Sequence, residues 1–461
     1  MTIDDNFTER LVKFEGDDTL SNEDHNHLGQ SVTQHCKSYV FTLKDDKNRD
    51  QKLRIIDTPG IGDTRGSSQD DVNLQHILSY INNLTHLNAI CILLKPNNVR
   101  LNIFFRSCFV QLIDLLGENT RDKIIFCFTN SRSTFYTPGN TAPALKTLLE
   151  SLPMKKIPFT KENTFCFDSE SFRYLVARLN KIDFKNIEEE EYNDSWEKSS
   201  SESNRLLKHI RTKMPVGIVP NESHSMKHAQ LQINLMIRPM LEAMRNILRN
   251  LILCEAGSSK VSIELCPIVI KCTTAICLKC SRESLQVAGF QIAMDSLHVF
   301  HNKCRTCRCD PTDHYSIDYE LGYKQCDDSV NNSENNMRKM LDDLCQMSAE
   351  FANFLLGPVD ASQNDPFLAG FKRMIKEEND ICTKKSSYKL NSKLMVELEQ
   401  LKNGYENAKK KIASKKERIE LDNIYDKIGN VMKSPMIEVQ MAAIRQWHKF
   451  MIKLYEYEVP A

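Results

Sequence analysis

Apolar strand-like runs alternate with segments of helical spacing between residues 37 and 179, and this alternation restricts the fold more than any other feature. The strand-like runs are KSYVFTL (37–43), LRIID (53–57), NAICILL (88–94), KIIFCF (123–128) and TFCF (164–167). The helical segments are 70–84, 103–117, 141–152 and 172–179. Such alternation predicts a parallel α/β sheet in which the continuously apolar runs 88–94 and 123–128 are buried on both faces. The polar turn DDKNRDQ predicts that the first two strands form a hairpin.

The second strand ends in the motif DTPG, which begins at Asp57 and finishes at Gly60. In phosphate-binding α/β domains an acidic residue at such a strand end holds Mg²⁺. The glycine lets its backbone N–H approach the terminal phosphate without an obstructing Cβ. Thr33 precedes the hairpin at the place where a switch threonine would reach the same ion. A surface or N-cap threonine is the alternative interpretation.

Thr129 and Asn130 follow the strand-like run 123–128. They are therefore expected at the carboxyl edge of the sheet, where α/β folds bind ligands. An asparagine at that edge suits contact with a purine base. An ordinary turn asparagine is the alternative interpretation.

Four stretches in order resemble a group of uncharacterised eukaryotic G-domain proteins: IIDTPGIGDTRG, LNAICILLKPNNVRLN, IIFCFTNSRSTFYTPGNT and FCFDSESFRYL. Their G domains are similar to those of septins and immunity-associated GTPases of the TRAFAC class. The resemblance covers residues 10–250 and, more loosely, a cysteine-rich segment that follows. It implies a P-loop GTPase-type α/β domain, GTP bound with Mg²⁺, and a role as a nucleotide-dependent switch or assembly factor.

The resemblance also implies roles for individual residues. Thr33, Asp57 and Gly60 would meet Mg²⁺ and the γ-phosphate. Thr129 and Asn130 would lie at the nucleotide, with the turn 167–169 closing over the base.

Three departures from the G-domain pattern affect these expectations. No GxxxxGK[ST] loop precedes Thr33, so nucleotide binding is expected to be impaired in this chain, and we expect that Met1 is not the natural start. Ile61 stands where small GTPases keep a water-orienting glutamine, so hydrolysis would need another group. The guanine-reading aspartate is absent after Asn130, and the preference for GTP over ATP rests on the resemblance alone. A non-enzymatic pseudo-GTPase scaffold is the rival hypothesis.

The missing loop also bears on the sheet. The strand that feeds it would lie between the Asp57 strand and the 88–94 strand. Without that strand, unpaired backbone groups of two buried strands would face each other, which folded proteins avoid.

Nine of the 16 cysteines fall between Cys254 and Cys326. With no recognisable signal peptide, such clustering indicates a metal site rather than disulfides. The pairs Cys277/Cys280 and Cys304/Cys307 provide four thiolates, which suit a tetrahedral structural Zn²⁺. Several other ligand sets remain open: Cys309 and His314 with Cys307 or Cys304, a second ion completed by Cys266 and Cys272, and competition from His298 and His301. A zinc hydrolase is disfavoured because no HExxH motif occurs.

Charge and patterning complete the expected organisation. Basic and acidic residues balance at 61 each, which argues against nucleic acid as a partner. No apolar run approaches the ~18–20 residues that span a bilayer, and a reducing cytoplasm is expected. Four segments are predicted: the α/β domain (1–182), a linker with amphipathic helices (183–253), the cysteine-rich module (254–326) and a helical region (327–461). Heptad spacing from Leu394 to Ile412 predicts a helical bundle or short coiled-coil hairpin, which would contact protein partners or a second copy.

Overall fold

The structure of the protein is a computed structural model. It describes the following residues: 2–3, 9–10, 22–23, 33–44, 48–60, 73–74, 76–77, 80–81, 84, 86–97, 106, 109–110, 112–113, 118–152, 157–182, 186–214, 226–257, 261–277, 279–280, 282–295, 297–301, 303–304, 307, 309, 314–327, 334–356, 365–384, 389–414 and 420–459. Several predictions fall partly or wholly outside these residues, among them the helices at 70–84 and 103–117. Ile61 is not described, and of Cys272, His301 and Cys304 only the backbone is.

The chain forms two compact units, each a mixture of strands and helices. Unit 1 comprises Met1–Ser225 together with Tyr455–Ala461, and unit 2 comprises Met226–Leu454. The cysteine-rich segment and the helical region, expected as separate modules, both belong to unit 2. The segment 183–253 is divided between the units at residue 225.

Unit 1 contains two three-stranded sheets that meet the sequence expectations in part. The hairpin is confirmed: β3 (Lys37–Lys44) pairs antiparallel with β4 (Asp50–Asp57) over its whole length. The parallel sheet has the order β5-β6-β7, formed by Ile90–Leu94, Ile124–Phe128 and Thr164–Cys166. Two further strands of two residues each, β1 (Thr2–Ile3) and β2 (Glu9–Arg10), pair antiparallel.

The burial of the parallel strands corrects one prediction. All five residues of β6 are buried, as its continuous apolar run predicts. In β5, by contrast, Cys91 and Leu93 are exposed, Leu93 to 65%. The physical reason is position: β5 is the edge strand of the described sheet, and its side chains alternate as in a strand covered on one face. The Asp57 strand and the 88–94 strand lie in different sheets of the described residues, with no strand pairing between them.

Helices complete unit 1. Their bounds are α1 (Thr141–Glu150), α2 (Glu170–Leu179) and α3 (Asn186–Lys213), with helical positions also at 73–81 and 106–113 wherever those stretches are described. Short 3₁₀ turns occupy Glu118–Lys123, Arg132–Thr134 and Lys161–Asn163. The acidic, serine-rich stretch 188–204, for which either a linker or a solvated helix was expected, lies in α3.

Unit 2 contains a four-stranded sheet that the sequence did not reveal. Its order is β12-β11-β8-β13, and the long strands β8 (Ser262–Cys277) and β13 (His314–Cys326) pair antiparallel. The short strands are β9 (Ser284–Val287), β10 (Phe290–Ala293), β11 (Leu297–His301) and β12 (Lys303–Cys304).

Six helices among the described residues of unit 2 supply most of the main core. They are α4 (Met226–Glu255), α5 (Glu334–Leu356), α6 (Pro366–Lys384), α7 (Lys389–Ser414), α8 (Leu421–Met432) and α9 (Pro435–Leu454). The predicted helix at 225–252 is confirmed and contains Pro239 in its interior. In α7, Leu394 and Leu398 are fully buried and pack into the same core as α5 and α6, so the heptad spacing belongs to a bundle.

Polar side chains of α4 attach this central helix to the sheet. The Asn246 amide donates to the Ile263 carbonyl at 2.7 Å, and Asn250 exchanges two hydrogen bonds with the backbone of Ile263. Arg238 donates to the Tyr319 carbonyl and to Asp295, each at 2.9 Å. These contacts attach β8 at Ile263 and β13 at Tyr319 to the core.

The chain finishes with a strand that returns to unit 1. β14 (Glu456–Glu458) pairs parallel with β3, so the first sheet has the order β14-β3-β4. No helix among the described residues is both long enough and apolar enough to cross a membrane.

Candidate functional site

Four cysteine side chains converge at one end of the unit 2 sheet. The sulfur atoms of Cys277, Cys280, Cys307 and Cys309 all lie within 4.8 Å of one another. The Sγ atoms of Cys277 and Cys307 are 3.8 Å apart, and those of Cys280 and Cys309 are 3.9 Å apart. Four sulfur ligands at about 2.3 Å from one zinc ion lie about 3.8 Å from each other. The group can therefore hold a metal ion, and its geometry is compatible with structural zinc.

The local chain path explains the convergence. Cys277 is the last residue of β8 and is fully buried, while Cys280 is reached by the short turn that follows. Arg282, just beyond this turn, donates to Glu377 of α6 at 2.8 Å and so anchors the turn to the helices. Cys307 and Cys309 follow the hairpin of β11 and β12 and are half-buried. Each pair of ligands thus lies at or within a few residues of the end of a strand.

Hydrogen bonds after β8 stabilise the thiolate form of Cys277. Burial raises the pKa of Cys277, but hydrogen bonds from the backbone N–H groups of Lys279 and Cys280, supported by the side chains of Cys280 and Cys309, outweigh burial and lower that pKa to about 6. Because the thiolate is the form that ligates metals, the turn favours the binding form of Cys277.

The described ligand set differs in one member from the leading sequence interpretation. Spacing favoured Cys304 with Cys307, whereas the group in the structure pairs Cys307 with Cys309. The side chain of Cys304 lies outside the described residues. Cys266, considered for a second ion, lies in β8 opposite Gly322 and is in neither metal-type group of the described residues. His298 and His314 form a second group with Cys307.

The Asp57 end of β4 is the second candidate site, in unit 1. The Thr33 hydroxyl lies 3.5 Å from Asp57 Oδ2, and the Asn22 amide donates to the same oxygen at 3.1 Å. The structure therefore brings the predicted threonine and carboxylate together. Gly60 is exposed, and its carbonyl accepts a hydrogen bond from Asn73 at 3.2 Å. Sequence reasoning missed Asn22, which no motif marks.

Thr129 and Asn130 lie at the carboxyl edge of the other sheet. The Thr129 N–H donates to the Leu94 carbonyl at 2.8 Å, and Asn130 has a left-handed backbone with φ 59°. The next turn is tied to Asp168, whose Oδ2 accepts the Arg132 N–H at 3.1 Å. The turns after β6 and β7 are thus joined, while Asp57 ends a strand of the separate β14-β3-β4 sheet.

No protein-family model, curated protein or solved structure matches this chain. Its candidate function therefore rests on the two sites themselves and on the sequence patterns that point to them.

Proposed function

We propose that the protein is a GTP-binding switch or assembly factor with a septin-like G domain in unit 1 and a structural zinc site in unit 2. The observation that carries the nucleotide part is the contact of 3.5 Å between the Thr33 hydroxyl and Asp57 Oδ2. A threonine hydroxyl and a strand-end carboxylate are the groups that P-loop GTPases direct at Mg²⁺. Asp57 is half-buried, so it keeps an approach for an ion.

The carboxyl edge of the parallel sheet supports the same proposal. Asn130 directly follows the strand-end residue Thr129, and the Ser131 N–H donates to the Phe167 carbonyl at 3.1 Å. In α/β folds the base of a nucleotide binds beyond such strand ends. Asn130 would then face the base, with the turn around Asp168 beside it.

The proposed activity is binding and switching rather than efficient hydrolysis. The sequence contains no GxxxxGK[ST], whose amides and lysine supply most phosphate affinity in this class. Ile61 replaces the residue that orients the attacking water. Binding of Mg·GTP by these 461 residues is therefore expected to be weak, with a Kd on the order of 1 mM.

Titration with a fluorescent GTP analogue tests this proposal. Binding should require Mg²⁺ and should be lost in Asp57→Asn, because the carboxylate is the ion's strongest protein ligand. Asp50→Asn is the matched control, since Asp50 begins the same strand and pairs with Lys44 at the far end of the hairpin. Binding that survives Asp57→Asn, or no Mg²⁺-dependent binding up to ~10 mM, would oppose nucleotide binding by this chain.

The gene sequence provides an independent test of the proposal. An in-frame GxxxxGK[ST] upstream of the Met1 codon would favour the GTPase, and Mg·GTP should then bind tightly to the longer product. An upstream reading frame without that motif would favour the scaffold.

The second candidate function is a non-enzymatic interaction scaffold whose unit 2 is held by zinc. The sulfur–sulfur separations of 3.8 and 3.9 Å favour it, since they match a closed four-thiolate site. Four sulfur ligands leave no open position for catalysis, which makes this ion structural. The scaffold predicts that chelation alters partner binding or self-association while Mg·GTP does not. Light scattering with and without each reagent separates the two functions.

A further inference from the structure

Cys307 lies between two groups of metal-type ligands. On one side its Sγ is 3.8 Å from Cys277 Sγ. On the other it is 3.3 Å from the Nε2 atom of His314. The ligand atoms of His298, Cys307 and His314 all lie within 4.8 Å of one another, as do those of the four cysteines. One thiol is therefore a member of both groups.

The strand register explains why two histidines reach this thiol. His314, the first residue of β13, pairs with Cys277 of β8. His298 of β11 pairs with Ala275, two residues before Cys277 in the same strand. Paired residues and residues two apart share one face of a sheet, so both imidazoles lie on the Cys277 face. The opposite face is occupied by Ile276, which packs with Ile270, Ile317 and Trp447.

The two imidazoles are arranged as ligands rather than as a stacked pair. Their ring centroids are 5.8 Å apart and the planes are inclined by 55°. A nitrogen and a sulfur that share one tetrahedral zinc ion are expected about 3.6 Å apart, close to the distance between His314 and Cys307. His298 is only 4% exposed, so its ring is held within the protein.

Charge gives a reason for a second cation. Four thiolates around one Zn²⁺ carry a net charge of −2, and Cys277 at least is fully buried. Burying uncompensated charge is costly. A second Zn²⁺ that shares the Cys307 thiolate and is bound by two neutral imidazoles brings the cluster to zero net charge without any further protein group.

We propose that unit 2 binds two zinc ions that share Cys307. The first is held by Cys277, Cys280, Cys307 and Cys309. The second is held by His298, Cys307 and His314, and water takes its fourth position. This inference rests on the structural zinc site of the proposed function. A second ion with three protein ligands has an exchangeable position, unlike the closed four-thiolate site.

Metal counting on the full chain tests the inference. Protein produced with zinc and dialysed against metal-free buffer should contain two zinc ions per chain by elemental mass spectrometry. His314→Ala and His298→Gln should each reduce this number to one. His448→Ala is the control, because that histidine lies in α9 outside both ligand groups, and it should retain two.

Cobalt substitution of the wild-type chain gives a second readout, which applies even if a variant folds poorly. In the wild-type chain the first Co²⁺ equivalent should give strong thiolate-to-metal absorption and the second a smaller increment, because it adds contacts to a single, shared thiolate. His314→Ala should show only the first step, with unchanged intensity.

Each remaining outcome decides between the inference and its premise. One ion per chain that is insensitive to both histidine variants overturns the second site and leaves the structural zinc proposal standing. One ion whose absorption changes in His314→Ala indicates a single mixed site and also overturns the inference. A folded chain without metal overturns both proposals.

Discussion

The cysteine cluster of unit 2 and the Asp57 site of unit 1 both stand at the end of a β-strand, but they are completed differently. Asp57 accepts hydrogen bonds from the neutral groups of Asn22 and Thr33. Burial and the charge of Asp57 raise the pKa of nearby Cys36 to about 12, which keeps that thiol protonated. At Cys277 the pKa is instead lowered to about 6 beside three further thiols.

These two environments indicate which site needs a ligand in order to fold. A single carboxylate with neutral donors is satisfied by the protein itself. The four thiol groups lie within 4.8 Å of one another, so their thiolate forms repel one another and require a cation between them. We therefore expect stability to depend on metal in unit 2 and to be nearly independent of ligand in unit 1.

Removal of the metal should have the largest effect. Chelation, or Cys277→Ser, should destabilise unit 2 by at least ~5 kcal/mol and lower its Tm by about 10–20 °C, because binding energy of a structural zinc ion is folding energy. Calorimetry measures the change. Cys326→Ser is the matched control, since Cys326 lies at the far end of the same strand pair and should change the Tm little. Equal transitions with and without chelator in a folded chain would remove the contrast between the sites.

The buried ion pair of Glu378 and Arg245 in unit 2 should be sensitive to mutation but not to chelator. Glu378 is fully buried and accepts hydrogen bonds from Arg245 and, at 2.7 Å, from Asn391. Glu378→Gln leaves buried guanidinium charge uncompensated and should cost about 3–5 kcal/mol. Denaturant unfolding measures this loss, and the zinc content of the folded variant should be unchanged. Loss of zinc from that folded variant would show that the two clusters are not independent.

Asp57→Asn should have a small effect on stability, in contrast to its effect on nucleotide binding. The amide can still accept from Asn22 and Thr33, so we expect a loss of about 1 kcal/mol or less. Urea unfolding of unit 1 provides the measurement. A loss above ~3 kcal/mol would mean that this carboxylate is primarily structural, which would weaken the assignment of Asp57 to a nucleotide site.

Mutation of exposed charged residues should change stability least. Lys52 of β4 approaches Glu458 of β14 at 3.4 Å, and both side chains are largely exposed. Lys52→Met should change stability by less than ~0.5 kcal/mol, because water screens such pairs. The same unfolding assay applies, and a larger loss would show that β14 depends on this ion pair rather than on its backbone pairing with β3.

Local patterns predicted much of the fold. The hairpin 37–57, the buried strand β6, the helix α1 and the helices after residue 330 all follow from short-range periodicity and turn composition. The long β8–β13 pair was not foreseen, because β8 carries Pro267 and three cysteines that obscure any alternation. β14 was missed because three residues, EYE, are too few to mark a strand. Its partner β3 lies at the other end of the chain.

Local patterns likewise predicted only part of the two candidate sites. Spacing could identify a cysteine cluster but could not indicate that Cys309 joins it, since both CxxC and CxC turns bring two sulfurs together. The register of β11 and β13 against β8, which places His298 and His314 beside Cys307, is a long-range pairing that no local pattern contains. Asn22 reaches Asp57 in the same non-local way.

X-ray absorption at the zinc edge, on the 461-residue chain loaded with one equivalent of zinc, tests the four-thiolate site. We expect a first shell of four sulfur atoms at about 2.3 Å, supplied by Cys277, Cys280, Cys307 and Cys309. A shell of nitrogen and oxygen atoms at about 2.0–2.1 Å, without sulfur, would contradict it.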